Sequence, residues 1–129
     1  MNKRTYFNNT DIFFDTGVAI YVNRYHENYK SLLHTHDFLE INYVAEGKGF
    51  HFIDDDVLPA ISGDIFIIPV GTAHVYRPES VQSVNPPVVY NCVFPADQLK
   101  EWCGVIPLPF DAGRVFTRAN RSYYHYHDS

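Results

Sequence analysis

Between His34 and Pro78 short apolar runs are broken by turn signals about every eight to twelve residues, a rhythm that suits strands and leaves little room for helices. Gly47-Lys48-Gly49, Asp54-Asp55-Asp56, Ser62-Gly63-Asp64 and Gly71-Thr72-Ala73 are the turns. The first is a hairpin signal, with two residues free to take positive φ. The intervening runs are rich in β-branched and aromatic side chains, which favour extended backbone. The expected architecture is all-β, a barrel or sandwich.

A chain of 129 residues suits one domain and can bury a core without disulfide staples. Its composition, 46% hydrophobic and 19% charged, lies far from the disordered class. The net charge of −5 and the lack of any Lys/Arg run argue against the chain gripping nucleic acid by itself, since neutralising phosphates needs a basic face. No apolar span of membrane length and no signal peptide is visible. Cys92 and Cys103 match no zinc or redox spacing, and thiols without a signal peptide point to the cytoplasm.

Residues 1–14 read as a polar N-terminal arm anchored by an apolar Ile12-Phe13-Phe14, and 18–26 as a strand. The clearest strand is 38–46. Phe38, Glu40 and Asn42 share one of its faces, and Leu39, Ile41 and Tyr43 the other. The mixed face suits a cavity wall; the apolar face suits a neighbouring layer or subunit. Residues 57–61 carry Pro59 and belong at a sheet edge. Residues 65–69 are apolar on both faces, as in a strand covered on both sides. Pro95 precedes a predicted short helix over 96–103. Residues 114–129 show no clear period and read as a segment cut short. The domain layout is therefore an arm over 1–14, a barrel over 15–95, and a helix with a truncated C-terminal segment over 96–129.

The chemistry gathers in two blocks. His34, His36 and Glu40 stand in the first and His74 in the second. Imidazole nitrogens and a carboxylate oxygen form a donor set for a divalent metal such as Zn, Ni, Mn or Fe, and open positions could hold water or a small molecule. The same groups can instead satisfy one another by hydrogen bonds, or hold the hydroxyls or carboxylate of a small effector. Asn42, Phe38, Phe50, Phe52, Phe66, Tyr76 and Tyr90 are candidates for the wall of such a pocket, with ordinary core packing as the alternative for each aromatic. Asn42 stands out, because a polar amide beside Glu40 on a strand face needs a partner. Asp54–Asp56 reads as a solvated turn, and Tyr123–His127 as a stretch packing on the barrel.

His34-x-His36-x3-Glu40-x6-Gly47 resembles the first cupin motif, and Gly63-x5-Pro69-x-Gly71-x2-His74 resembles the second. The usual Asn three residues after the last His is missing, and Arg77 and Pro78 stand near its place. The resemblance covers roughly residues 30 to 95 and implies a double-stranded β-helix, the cupin jelly-roll. The wording FLEINYVAEGKG followed by PVGTAH looks like the N-terminal effector-binding and dimerisation domain of AraC-type transcription regulators. That resemblance implies a small effector, sugar-like or acidic, bound inside the barrel by His34, His36, Glu40, Asn42, His74, Phe38, Phe52 and Tyr76, with no catalytic residue. It also implies a homodimer, a bacterial cytoplasmic setting, and DNA contact only through a C-terminal domain not present here. The chain ends where linking helices would begin in the family, so a domain fragment is expected. In cupins the positions of His34, His36, Glu40 and His74 are the metal ligands, which leaves a stand-alone metal-dependent cupin enzyme, a dioxygenase or sugar isomerase, as the alternative.

Overall fold

The computed structural model describes residues 6–8, 20–28, 33–95, 97–98 and 121–128; of Tyr6–Asn8 and His36 it describes the backbone alone. The strands are β1 (Tyr6–Asn8), β2 (Tyr21–His26), β3 (His34–His36), β4 (Phe38–Glu46) and β5 (Lys48–Ile53). They continue with β6 (Asp56–Ile61), β7 (Asp64–Ile68), β8 (His74–Pro78), β9 (Val88–Pro95) and β10 (Tyr124–His127). One sheet runs β1-β3-β8-β5-β6 and the other β10-β7-β4-β9-β2. The fold is the expected all-β barrel. Of the helix expected over 96–103, all but residues 97–98 lie outside the described residues.

Alternation builds the interior. On β4 the buried Glu40, Asn42 and Val44 point inward, as their spacing requires. Ile41 and Tyr43 face outward and are only partly covered. Val44, Ile53, Ala60, Phe66, Ile68, Tyr76 and Val89 form the buried cluster between the sheets. Strand β6, which carries Pro59, is the edge of its sheet. Strand β7 was expected to be covered on both faces. Its inward Phe66 and Ile68 are sealed, but Ile65 and Ile67 lie half-covered on the outer face, because no third layer of described residues packs there.

Two segments expected to be irregular are ordered strands. Residues 6–8 pair in parallel with β3, Tyr6 opposite His34 and Asn8 opposite His36. The histidine-tyrosine run near the C-terminus is β10, antiparallel to β7, with His125 opposite Phe66 and His127 opposite Asp64. Both therefore lie in the barrel's sheets, beyond the 15–95 span expected for it. Beside its backbone ladder with β7, strand β10 is held by polar side-chain contacts, which hydrophobic periodicity cannot reveal. His125 Nε2 and His127 Nδ1 lie 3.0 and 2.9 Å from the same Asp64 Oδ1. Asp64 Oδ2 accepts the Ile61 N–H at 2.8 Å, and the Asp128 N–H donates to the Gly63 carbonyl at 2.8 Å.

This clamp makes stability depend on pH. Burial alone would raise the pKa of Asp64, but the Ile61 N–H and the two imidazoles outweigh it and hold the group below the ordinary carboxylate range. A depressed folded-state pKa contributes stability that is complete above the unfolded value and is lost as pH falls through the folded one. Asp64→Asn should therefore destabilise the domain by about 1–3 kcal/mol at neutral pH. Urea unfolding of both proteins across an acid series checks this: the gap must narrow as pH drops below the carboxylate range. A gap constant with pH would rule the clamp out as its source.

Candidate functional site

Pairing between distant strands brings the two sequence blocks together. His34 on β3 lies opposite His74 on β8, and their ring centroids are 4.6 Å apart. Glu40 enters from β4 in the other sheet, with Oε2 2.7 Å from His74 Nε2 at ion-pair distance. One donor atom each from His34, Glu40 and His74 fall within 4.8 Å of one another. Glu40 and His74 are buried and His34 is half-buried. The backbone of His36 sits two positions along β3 from His34.

Behind this cluster lies a residue that the motifs do not contain. His51 is completely buried, and its Nε2 is 2.9 Å from His74 Nδ1. Its ring stacks on Tyr76 at 3.8 Å and 9°, and meets Phe66 edge-on at 4.4 Å. Burial, then the neighbouring His74, pushes the His51 pKa well below its ordinary value, so the ring is neutral. Its Nδ1 has no hydrogen-bond partner among the described residues. Both His74 nitrogens thus have a close neighbour, Glu40 Oε2 at 2.7 Å on one side and His51 Nε2 at 2.9 Å on the other.

His51 was missed because β5 faces the other way from the expectation. Gly49, His51 and Ile53 point inward, and Lys48, Phe50 and Phe52 point outward. Phe52, expected to line the pocket, is 37% exposed on the outer surface, as is Phe50. Tyr90 also lies outside, on β9. The signal was present in Lys48: a strand with a charge at one parity hides the other parity.

Phe38, Asn42, Phe66 and Tyr76 do lie inside. Asn42 has the partners that its burial requires. It accepts from the Tyr76 hydroxyl at 3.0 Å and donates to Asn91 Oδ1 at 2.7 Å. Asn91 donates onward to Asn23 Oδ1 at 2.9 Å. The three asparagines stand opposite one another on β4, β9 and β2. This amide row joins the inner face to the edge strand, and through Tyr76 it ties one sheet to the other. Burial, then Glu40 nearby, raises the Tyr76 pKa well above its ordinary value, so the phenol stays a donor.

The class follows from barrel and cluster together: a cupin-type β-barrel with a histidine-glutamate centre inside. A cupin 2 conserved barrel domain protein from Salinispora arenicola CNS-205 superposes with a TM-score of 0.50 at 18% identity, over 66% of this chain and 69% of that one. Residues 16–120 match the AraC-like ligand-binding domain, and the chain belongs to that family. It is 35% identical over 102 residues to an HTH-type transcriptional activator RhaR from Enterobacter sp. (strain 638), across 76% of this chain and 34% of that protein. It is 36% identical over 77 residues to the RhaR of Escherichia coli (strain K12), across 57% of this chain and 26% of that protein. The chain thus spans about a third, or less, of the length of these relatives. Among the described residues no helix is long and apolar enough to cross a membrane.

Proposed function

We propose that this domain senses a small effector inside the barrel, at the centre made by His34, Glu40 and His74, within a longer transcription regulator. The convergence of those three side chains from both sheets carries the reading. The effector is small and bears hydroxyl or carboxylate groups, which an imidazole–carboxylate cluster can hydrogen-bond. Glu40, His34 and the His74–His51 pair orient it, and Asn42 and Tyr76 keep the sheets in register around it. The N-terminal strand β1 pairs directly with β3, which carries His34, so occupancy of the centre biases the seating of β1. In the full-length regulator that bias reaches DNA through a separate domain. The protein acts as a homodimer in the cytoplasm. Its outer sheet face supplies an apolar row of Tyr126, Ile65, Tyr43 and Tyr90, closed by the Arg24–Glu46 ion pair.

The three donors also fit a divalent metal, Zn, Ni, Mn or Fe, with His34, Glu40 and His74 as ligands; the side chain of His36, the fourth expected ligand, lies outside the described residues. Such an ion would supply Lewis-acid polarisation of a bound oxygen. His74 would then carry its proton on Nδ1 and donate to His51 Nε2, and His51 would hold its own proton on Nδ1. This donor set is what favours the second reading, a metal-dependent enzyme.

Elemental analysis of tag-free protein, followed by calorimetric titration with sugars, sugar acids and divalent ions, tests both readings. The effector reading expects saturable small-molecule binding that Glu40→Gln weakens at least tenfold. In metal-loaded protein, His51→Phe should lower metal affinity by about 10–100-fold through loss of the outer support on His74. Small-molecule affinity untouched by Glu40→Gln would sink the proposed centre.

A further inference from the structure

The two sheets do not close on each other at the β6/β10 side, where each strand is the end of its sheet. A cavity of about 430 Å³ opens there, lined by Asp56, Leu58, Arg121, Ser122, Tyr123 and His125. That volume lies within the ordinary range for small-molecule sites. The cavity reaches the barrel's interior layer. Leu58 stands opposite the buried His51, and His125 opposite the buried Phe66, on which its ring stacks at 4.5 Å and 6°. None of its six lining residues belongs to the His34–Glu40–His74 centre.

The walls are built rather than loose. The Tyr123 hydroxyl donates to Asp56 Oδ2 at 2.6 Å across the seam, and burial together with that carboxylate pushes its pKa up to about 12. Tyr123 and Leu58 pack against the core cluster. The Thr72 hydroxyl donates to the Ser122 carbonyl. The Arg121 guanidinium lies 5.7 Å from the Tyr124 ring centroid, a cation–π contact.

We infer that this seam is a second binding site, for a neutral polyhydroxylated molecule such as a monosaccharide or cyclitol. The lining carries one carboxylate, Asp56, and one guanidinium, Arg121, so its charges balance and neither an anion nor a cation is favoured. The same lining adds a phenol, a primary hydroxyl and an imidazole, which together offer the donors and acceptors that a ring of hydroxyls requires. Leu58 and the Tyr123 ring supply an apolar floor for the C–H face of such a ring. The inference is independent of the effector reading for the inner centre. A molecule seated here touches His125, which also bonds Asp64 and belongs to β10.

Histidine-ring and tyrosine-ring NMR on the intact 129-residue chain tests this. The probes are myo-inositol, D-glucose and D-xylose, with acetate and inorganic phosphate as charged comparators. At least one neutral probe should shift the His125 and Tyr123 signals saturably while the two anions leave them in place. Arg121→Ala and Asp56→Asn, both at exposed positions, should each weaken that binding by about tenfold, the loss expected for a hydrogen bond to a charged group. Glu40→Gln separates the two sites and should leave the seam titration unchanged. The inference is overturned if no neutral probe moves His125, if phosphate or acetate moves it instead, or if Glu40→Gln abolishes the response.

Discussion

Gly47→Ala is expected to cost about 3 kcal/mol or more and to leave little folded protein at growth temperature. Gly47 closes the β4–β5 hairpin with φ +78°, a conformation that an L side chain rarely adopts. Space is the larger obstacle. A Cβ there would lie 2.0 Å from the Pro86 carbonyl oxygen and 2.9 Å from that of Asn85. Both are backbone atoms, so no rotamer change relieves the overlap. The loop cannot simply retreat, because the Lys48 N–H donates to the Asn85 carbonyl at 3.1 Å. Thermal unfolding checks the point, with the exposed turn substitution Asp55→Ala as a near-neutral comparison. A Gly47→Ala protein melting within a few degrees of wild type would show that the hairpin and the 85–87 loop are not in contact.

Asn42→Leu should destabilise the barrel by about 2–4 kcal/mol despite being apolar and of similar volume. Asn42 is fully buried, and its removal strands two groups at once, one buried and one half-buried. The Tyr76 hydroxyl loses its acceptor and Asn91 Oδ1 loses its donor. Leucine adds apolar contact but cannot repay an unpaired phenol and an unpaired amide oxygen. A double-mutant cycle isolates the effect. With Tyr76→Phe in the background one of the stranded groups is already gone, so Asn42→Leu should cost measurably less there. Equal costs in both backgrounds would mean that the link between the sheets carries no energy.

Much of this architecture was legible because it obeys short-range rules. The alternation of 38–46 assigned Glu40 and Asn42 to the inside, and the turn glycines set the hairpins that return the chain. The spacings of His34, Glu40 and His74 announced a common centre, and the strands do deliver them to it. What stayed hidden depends on which distant strand becomes a neighbour. In β5 the Phe-His-Phe run invites the aromatics inward. Lys48 at the same parity settles the matter the other way, and His51 becomes the residue that supports His74. The asparagine row was half visible. Asn42 asked for a partner, but Asn91 and Asn23 are 49 and 68 positions away in their bonded pairs, beyond any local pattern. Strand β10 gave no periodic signal, since its seat is a carboxylate shared by two imidazoles.

The amino-acid order by itself determined the strand periodicity, the turn positions and the four-residue donor inventory, because each follows from backbone sterics and side-chain alternation over a few residues. Tertiary structure alone decided that β1 lies along the strand bearing His34, that His51 stands behind His74, and that β6 and β10 part to leave a polar cleft. Those outcomes come from pairing segments far apart along the chain, where register is chosen by the burial of whole faces and by polar partners that only the closed barrel brings within reach.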